Sequence, residues 1–282
     1  MVPLVQTVLA SLDLIGICKD GFLSPERKLI MGNYQERGIV FNSEQEKFVT
    51  RRMVVKIGSS TITGNTESLD VNFMENIARQ VSLLFHSGVE VMIVTSGAVA
   101  SGKKGLDGED NTTVSIYGQT ILITNWHEVL KKNGVKDVGH LLLTDNHLVD
   151  GIGDILSDAL RCGVLVINGQ DAVNELSKSK ICKDNDQLAE FLAKSINADT
   201  LLLLTDKDGV LDENQKTIEV IDSNTKIGTL HESKEVYSGG IDSKIQVAIG
   251  FAGKAVIANG RTEDIILKVA QGKKERNFSR TI

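Results

Sequence analysis

Proline is nearly absent from this chain: 282 residues contain two, Pro3 and Pro25, and from Glu26 onward there is none. Because proline interrupts regular structure, its confinement to the leader marks a compositional boundary before Arg51. Cysteine is scarce as well. Cys18, Cys162 and Cys182 are odd in number and far apart, which excludes a disulfide framework and a metal-ligand spacing, and a reducing, cytoplasmic setting is expected. The five histidines form no H-x-x-x-H or similar ligand spacing, so no protein-held metal site is expected. No apolar run approaches the roughly 18 residues of a membrane span. The apolar stretch 1–18 is broken by Gln6 and Asp13 and lacks the basic start of a secretory signal. A basic excess is also missing, and a formal net charge of -6 disfavours non-specific nucleic-acid binding. Neither nucleic acid nor membrane is therefore an expected partner. Two phosphate-binding signatures are absent: G-x-x-x-x-G-K-[ST], and G-x-G-x-x-G after the first strand. Their absence argues against a Walker-type nucleotide fold and a dinucleotide-binding dehydrogenase.

What is present, at 41% hydrophobic and 24% charged residues, is an ordinary globular composition with a strong alternation. Short β-branched runs, each followed by Gly, Ser, Asn or Asp, predict strands at 53–57, 89–95, 138–143, 164–167, 200–204 and 255–258. Helical patterns fall between or after them, at 71–86, 116–132, 155–161, 187–195, 241–251 and 264–269. Near-continuous hydrophobic strands alternating with helices predict an α/β, doubly wound fold whose mainly parallel sheet is covered on both faces. Ligands in such sheets sit beyond the carboxyl ends of the strands. Polar and glycine clusters stand at those ends: Gly58-Ser59-Ser60, Ser96-Gly97-Ala98, Thr144-Asp145-Asn146, Asn168-Gly169-Gln170-Asp171, Thr205-Asp206 and Asn259-Gly260.

Two segments carry the chemistry. Met53-Val-Val-Lys-Ile-Gly-Ser-Ser60 is an apolar strand with Lys56 near its end, and Ser238-Gly-Gly-Ile-Asp-Ser-Lys244 opens a helix with a second lysine one turn in. Backbone N–H groups at Gly58 and Ser59, and at Ser238, Gly239 and Gly240, are candidate anion donors, and the two lysines suggest cations converging on a phosphoryl group. The plainer readings are a lysine whose stem snorkels to water and a solvated helix lysine. Two lysines at one site repel, so an acidic residue between them is needed, and Lys183-Asp184-Asn185-Asp186 offers one. Simple helix capping explains that run equally well. Asn168 and Asp171 form an Asx turn or recognise a small polar substrate. Ser96-Gly97-Ala98-Val99 lacks the full G-x-S-x-G pattern and better suits backbone N–H binding of a carboxylate. Thr205 and Asp206 close a turn or line a nucleotide pocket. Trp126 reads as core or interface.

These segments resemble the amino acid kinase family, and within it the glutamate-phosphorylating branch and the kinase half of the bifunctional pyrroline-carboxylate synthases. Val-Val-Lys-Ile-Gly-Ser-Ser, Val94-Thr-Ser-Gly-Ala-Val-Ala-Ser-Gly102, Tyr117-Gly-Gln-Thr120, Leu142-Leu-Thr144 and the later motifs through Lys244 fall in the family's order, over about 52–272. The resemblance implies a three-layer α/β/α sandwich, a kinase domain at 51–282 and an N-terminal extension at 1–50, with no C-terminal RNA-modification-type (PUA) domain expected. It implies ATP with Mg2+ bound to the nucleotide, L-glutamate as acceptor, γ-glutamyl phosphate as the first product of proline synthesis, and a homo-oligomer. Carried over by motif, Lys56 and Lys244 stabilise the transferring phosphoryl group and Asp186 orients them. Ser96, Gly97, Ala98, Asp171 and Asn185 hold the acceptor, with Asn168 in support. Lys56, Gly58, Ser59, Thr205, Asp206, Ser238, Gly239, Gly240 and Lys244 face the nucleotide. The chain departs from the family at Asn168-Gly169-Gln170-Asp171, where Asn-Glu-Asn-Asp or Asn-Thr-Asn-Asp is usual. The segment 143–159 is also shorter than usual.

Overall fold

Strand β1 (Arg52–Ile57) buries every residue after its first, Lys56 included, which places it inside the sheet. The computed structural model describes residues 48–104, 106, 108–144, 147–148, 151–169, 184–212, 214, 216–221, 240–273 and 278–281. In chain order the described elements after β1 are α1 (Ser59–Thr63), α2 (Val71–His86), β2 (Glu90–Thr95), α3 (Ala98–Gly102) and α4 (Asn111–Lys132). Next come β3 (Val138–Leu143), α5 (Ile152–Cys162), β4 (Val164–Gly169), α6 (Asn185–Ser195) and β5 (Thr200–Thr205). The last are β6 (Val220–Ile221), α7 (Ile241–Gly250), β7 (Lys254–Asn259), α8 (Ile265–Ala270) and β8 (Phe278–Thr281).

These strands form one sheet in the order β3-β4-β2-β1-β5-β7-β8-β6, parallel throughout except between β7 and β8. The chain leaves β1 for β2 on one side and later adds β5 on the other, so the winding reverses beside β1. The pleat divides the core. Met53, Val55 and Ile57 face α2, α4 and α8 through Met74, Ile77, Trp126 and Ile265. Val54 faces α5, α6 and α7 through Leu156, Leu188 and Ile245. The result is an α/β fold with a mostly parallel sheet between two helical layers. By the same alternation Lys56 shares Val54's face, which carries α6 and α7.

The six anticipated strands and six anticipated helices all form, most within two residues of the expected ends. Helix α4 begins at Asn111, five residues earlier than its apolar pattern shows, because Asp110 caps it by accepting from the Thr113 amide at 3.0 Å. Its first turn, Asn111-Thr112-Thr113, is polar and carries no apolar signal. Strands β6 and β8 were not anticipated; each is at most four residues long, and β8 runs against its neighbour β7. Only 48–50 of the expected extension lie within the described residues, where the Val49 and Thr50 amides donate to Ala270 O. Among the described residues no helix is long and apolar enough to cross a membrane. Trp126 is fully buried, its Nε1 donating to Thr95 Oγ1 at 3.0 Å.

Candidate active site

Lys56 reaches from β1 across the second core face to the start of α6. Its Nζ lies 2.7 Å from Asp186 Oδ1, and Lys244 Nζ of α7 lies 3.0 Å from Asp186 Oδ2. Asp186 is wholly buried, and the two lysines are 3% and 6% exposed, so three charges share one dry site. The Lys56 contact is an ion pair that departs from hydrogen-bonding direction, whereas Lys244 donates a hydrogen bond. Burial pushes the Asp186 carboxyl up, but the charges of Lys56 and Lys244 outweigh it and hold the group below its ordinary 3.8. Burial pushes Lys56 down, Asp186 opposes that and Lys244 adds to it, leaving its ammonium below the ordinary 10.5. One carboxylate thus stands between two lysines, and the Asp184 charge adds to its pull on the Lys56 ammonium.

The helix starts fix this geometry. Asp184 caps α6, its Oδ1 accepting from the Asp186 and Gln187 amides at 2.9 Å each. Its Oδ2 accepts from Ser243 Oγ of α7 at 2.7 Å, so the residue before Lys244 is tied to the residue before the Asn185-Asp186 pair. Helix α7 opens at Gly240 with no side-chain cap, and space around Gly240 is open to 4 Å. Gly58 caps α1, likewise with no side-chain cap; a Cβ there would stand 3.5 Å from Lys56 Nζ. Ser59 follows as the first residue of α1, its carbonyl accepting from Thr63 Oγ1 at 2.9 Å. These uncapped amides are the local positive ends that an anion can use.

A second group of residues stands at the ends of β2 and β4. Asn185 Nδ2 donates to Ser96 Oγ at 2.9 Å and to Asn168 Oδ1 at 3.3 Å, and the Gly169 amide donates to Asn185 Oδ1 at 3.2 Å. Gly97 adopts φ +114°, a left-handed backbone that an L side chain strains to reach, and it opens α3 at Ala98. Helix α3 lies directly against α4. A Cβ on Gly118 would come within 1.8 Å of Ala98 O, and one on Gly102 within 2.2 Å of Val114 O, so backbone meets backbone at both. This contact holds the Ser96-Gly97-Ala98 loop beside the amide-bearing face of α4. Asn168 Nδ2 donates from the sheet to Gln119 Oε1 of that helix at 2.7 Å.

On the far side of β1, Thr205 ends β5, its Oγ1 3.4 Å from Asp206 Oδ1, while Asn65 Nδ2 donates to Asp206 Oδ2 at 3.3 Å. Asp206, Lys207, Asp208, Leu211, Thr217 and Asn259 line a cavity of about 290 Å³. Asn259 Nδ2 donates to Asp208 Oδ1 at 2.8 Å across one wall.

Lys56, Asp186 and Lys244 thus meet at one point, and Ser96, Gly97, Ala98, Asn168 and Asn185 gather on one side of it. Thr205 and Asp206 lie on the cavity side. Asp171, Ser238 and Gly239 lie outside the described residues. Sequence reading assigned no individual role to Gln119, Ser243 or Asn259, while Asp208 stood in the run from Thr205 to Gly209 that reads as a turn or a nucleotide pocket. Asp184 stood in view within Lys183-Asp184-Asn185-Asp186, and the structure shows that capping and charge pairing hold there together. Among the described residues, no group of three or more His, Cys, Asp or Glu side chains is disposed to hold a metal ion.

A family model described as the amino acid kinase family matches residues 51–259. Glutamate 5-kinase of Methanosarcina barkeri is 34% identical over 254 residues, covering 79% of this chain and 66% of that protein. Glutamate 5-kinase of Thermoanaerobacter sp. is 34% identical over 249 residues with the same coverage. That of Dehalococcoides mccartyi is 29% identical over 252 residues, 80% of this chain and 67% of the relative. The first two matches thus span just under two thirds of the relatives' own length.

Proposed function

The chain belongs to the amino acid kinase family, and from that premise we propose that it transfers the γ-phosphoryl group of Mg2+-bound ATP to the γ-carboxylate of L-glutamate. A carboxylate oxygen bonds to the γ-phosphorus while the bond from that phosphorus to the β,γ-bridging oxygen breaks. The electron pair leaves with ADP, and γ-glutamyl phosphate forms. No base is needed, because the acceptor is ionised at neutral pH. The demand on the protein is to bring two anions together and to stabilise the charge spread over the transferring group.

The observation that carries this reading is the pairing of Lys56 and Lys244 on one buried carboxylate. Asp186 relieves repulsion between the two ammonium groups and opposes the downward push of burial on the Lys56 pKa. With Gly58, Ser59 and Gly240 amides nearby, and Ser238 and Gly239 preceding, the pair forms a phosphate-neutralising clamp. Thr205 and Asp206 lead to the cavity that takes the nucleotide. Ser96, Gly97, Ala98, Asp171 and Asn185 hold the acceptor, with Asn168 in support. In this role the enzyme carries out the first step of proline synthesis.

Glutamate-dependent ADP release with Mg2+, trapped as a hydroxamate by hydroxylamine, tests the proposal. Folded protein that binds ATP but turns over aspartate or N-acetylglutamate instead of glutamate would overturn the acceptor assignment. That second reading has one observation in its favour. Gly169, which stands where the family usually has a side chain, lies against Asn185 Oδ1, and a Cβ there would come within 2.7 Å of it. The acceptor pocket therefore has its own shape at this point.

A further inference from the structure

Three side-chain amides form one directed chain of hydrogen bonds ending at Ser96. Its direction is set by a group that cannot turn over: the backbone N–H of Gly169, which donates to Asn185 Oδ1 at 3.2 Å. Asn185 Nδ2 is thereby the donor to Ser96 Oγ at 2.9 Å and to Asn168 Oδ1 at 3.3 Å. Asn168, fully buried, is turned in the same sense, so its Nδ2 donates to Gln119 Oε1 at 2.7 Å. Gln119 Nε2 then faces His140 Nε2 of β3 at 3.3 Å, which makes that ring nitrogen the acceptor and places the imidazole proton on Nδ1.

This direction decides what Ser96 can offer. A hydroxyl carries one proton, and Ser96 Oγ is already accepting from Asn185, so its proton is free to be donated to an anion. With Asn185 reversed, Oδ1 would face Ser96 and take that proton, and lone pairs would be presented to the acceptor. Asn185 and Asn168 must therefore stay in register, and Gln119 supplies the acceptor oxygen that keeps Asn168 turned. The position of Gln119 follows from its neighbour, since Gly118 lets α4 approach Ala98 O without an intervening Cβ.

We propose that Gln119 is a positioning residue of the acceptor site, holding Asn168 and Asn185 so that Ser96 presents its hydroxyl proton to a carboxylate. The inference rests on the reading of Ser96 and Asn185 as the acceptor-holding group. Gln119→Met keeps length and packing but cannot accept from Asn168, whereas Gln119→Glu keeps an accepting oxygen toward Asn168, adds a negative charge and makes His140 the donor in their contact.

The test measures acceptor KM, ATP KM, kcat and Tm for wild type, Gln119→Met and Gln119→Glu, with Gln119→Leu as a second apolar variant. A hydrogen bond to a charged ligand corresponds to roughly a ten- to hundredfold change in affinity, so Gln119→Met should raise acceptor KM by about that factor. ATP KM should stay within about twofold, and Gln119→Glu, despite its added negative charge, should raise acceptor KM less than Gln119→Met does. In a Ser96→Ala background, Gln119→Met should add little. The inference is overturned if the apolar variants leave acceptor KM unchanged. It is equally overturned if they raise both KM values in step with a fall in Tm, or if Glu is no better than Met. Wild type inactive on every carboxylate acceptor would instead overturn the reading beneath it, and this inference with it.

Discussion

Lys56 and Asp186 meet at 2.7 Å with their side chains 4% and 0% exposed, and Lys244 shares the same carboxylate. Desolvating three charges in a hydrophobic core is costly, and their mutual attraction offsets this only while all the partners remain.

Removing the central carboxylate should therefore be more damaging than removing the whole cluster. Asp186→Asn leaves the buried Lys56 and Lys244 ammonium groups without the carboxylate they share, and it is expected to lower unfolding free energy by about 3–5 kcal/mol. The combined replacement Lys56→Met, Asp186→Leu, Lys244→Met should recover most of that loss while remaining inactive. Urea denaturation with a constant m-value measures both. A triple variant as unstable as Asp186→Asn would refute the argument.

The alkaline limb of the pH profile reports Lys56. Burial first, with Lys244 adding and Asp186 opposing, puts its folded pKa below the unfolded 10.5. Activity that needs the ammonium should fall as pH rises through that lowered value, before an ordinary lysine titrates. Stability should move the other way. Between the folded value and 10.5 the unfolded chain binds more protons, so the difference in unfolding free energy between wild type and Lys56→Met should shift in favour of wild type as pH rises. The two trends are read by kcat/KM and by urea denaturation over the same buffers, and an activity limb at or above 10.5 would contradict the assignment.

Two glycines shape the Ser96-Gly97-Ala98 loop. Gly97→Ala forces a side chain into φ +114° with its Cβ 3.1 Å from Ile62, an expected loss of about 1–3 kcal/mol. Gly118→Ala drives a Cβ into Ala98 O and must separate α3 from α4. Both variants should raise acceptor KM well above any change in ATP KM, as steady-state kinetics with each substrate varied in turn will show.

The cavity beyond Thr205 should answer to the nucleotide alone. Asn259→Leu removes the donor to Asp208 Oδ1 and is expected to raise ATP KM about fivefold or more with acceptor KM unchanged. Titration of ATP by calorimetry measures the same loss without turnover.

The sheet and the clamp were legible in the sequence because their signals are local. A β-branched run ending in Gly58, and a glycine pair one turn before Lys244, announce themselves within a few residues. The run Lys183-Asp184-Asn185-Asp186 stood out because two converging lysines call for a carboxylate, and the family resemblance singled out Asp186 within it. Gln119 was not found. Its part depends on α4 lying against α3 through Gly102 and Gly118, a contact between segments that no short-range spacing records. Strands β6 and β8 escaped for a related reason: two and four residues are too few for an alternation to show, and neighbouring strands decide their pairing.

The most direct measurement is acceptor-dependent ADP release by Lys244→Met at saturating Mg2+-ATP and glutamate, beside ATP affinity and Tm for the same variant. This substitution leaves Lys56 paired with Asp186 and takes one of the two lysine cations away from the phosphoryl group. The two-lysine account predicts a fall in kcat of about a thousandfold or more in a protein that still unfolds cooperatively. A folded Lys244→Met protein that keeps kcat within tenfold of wild type would contradict it.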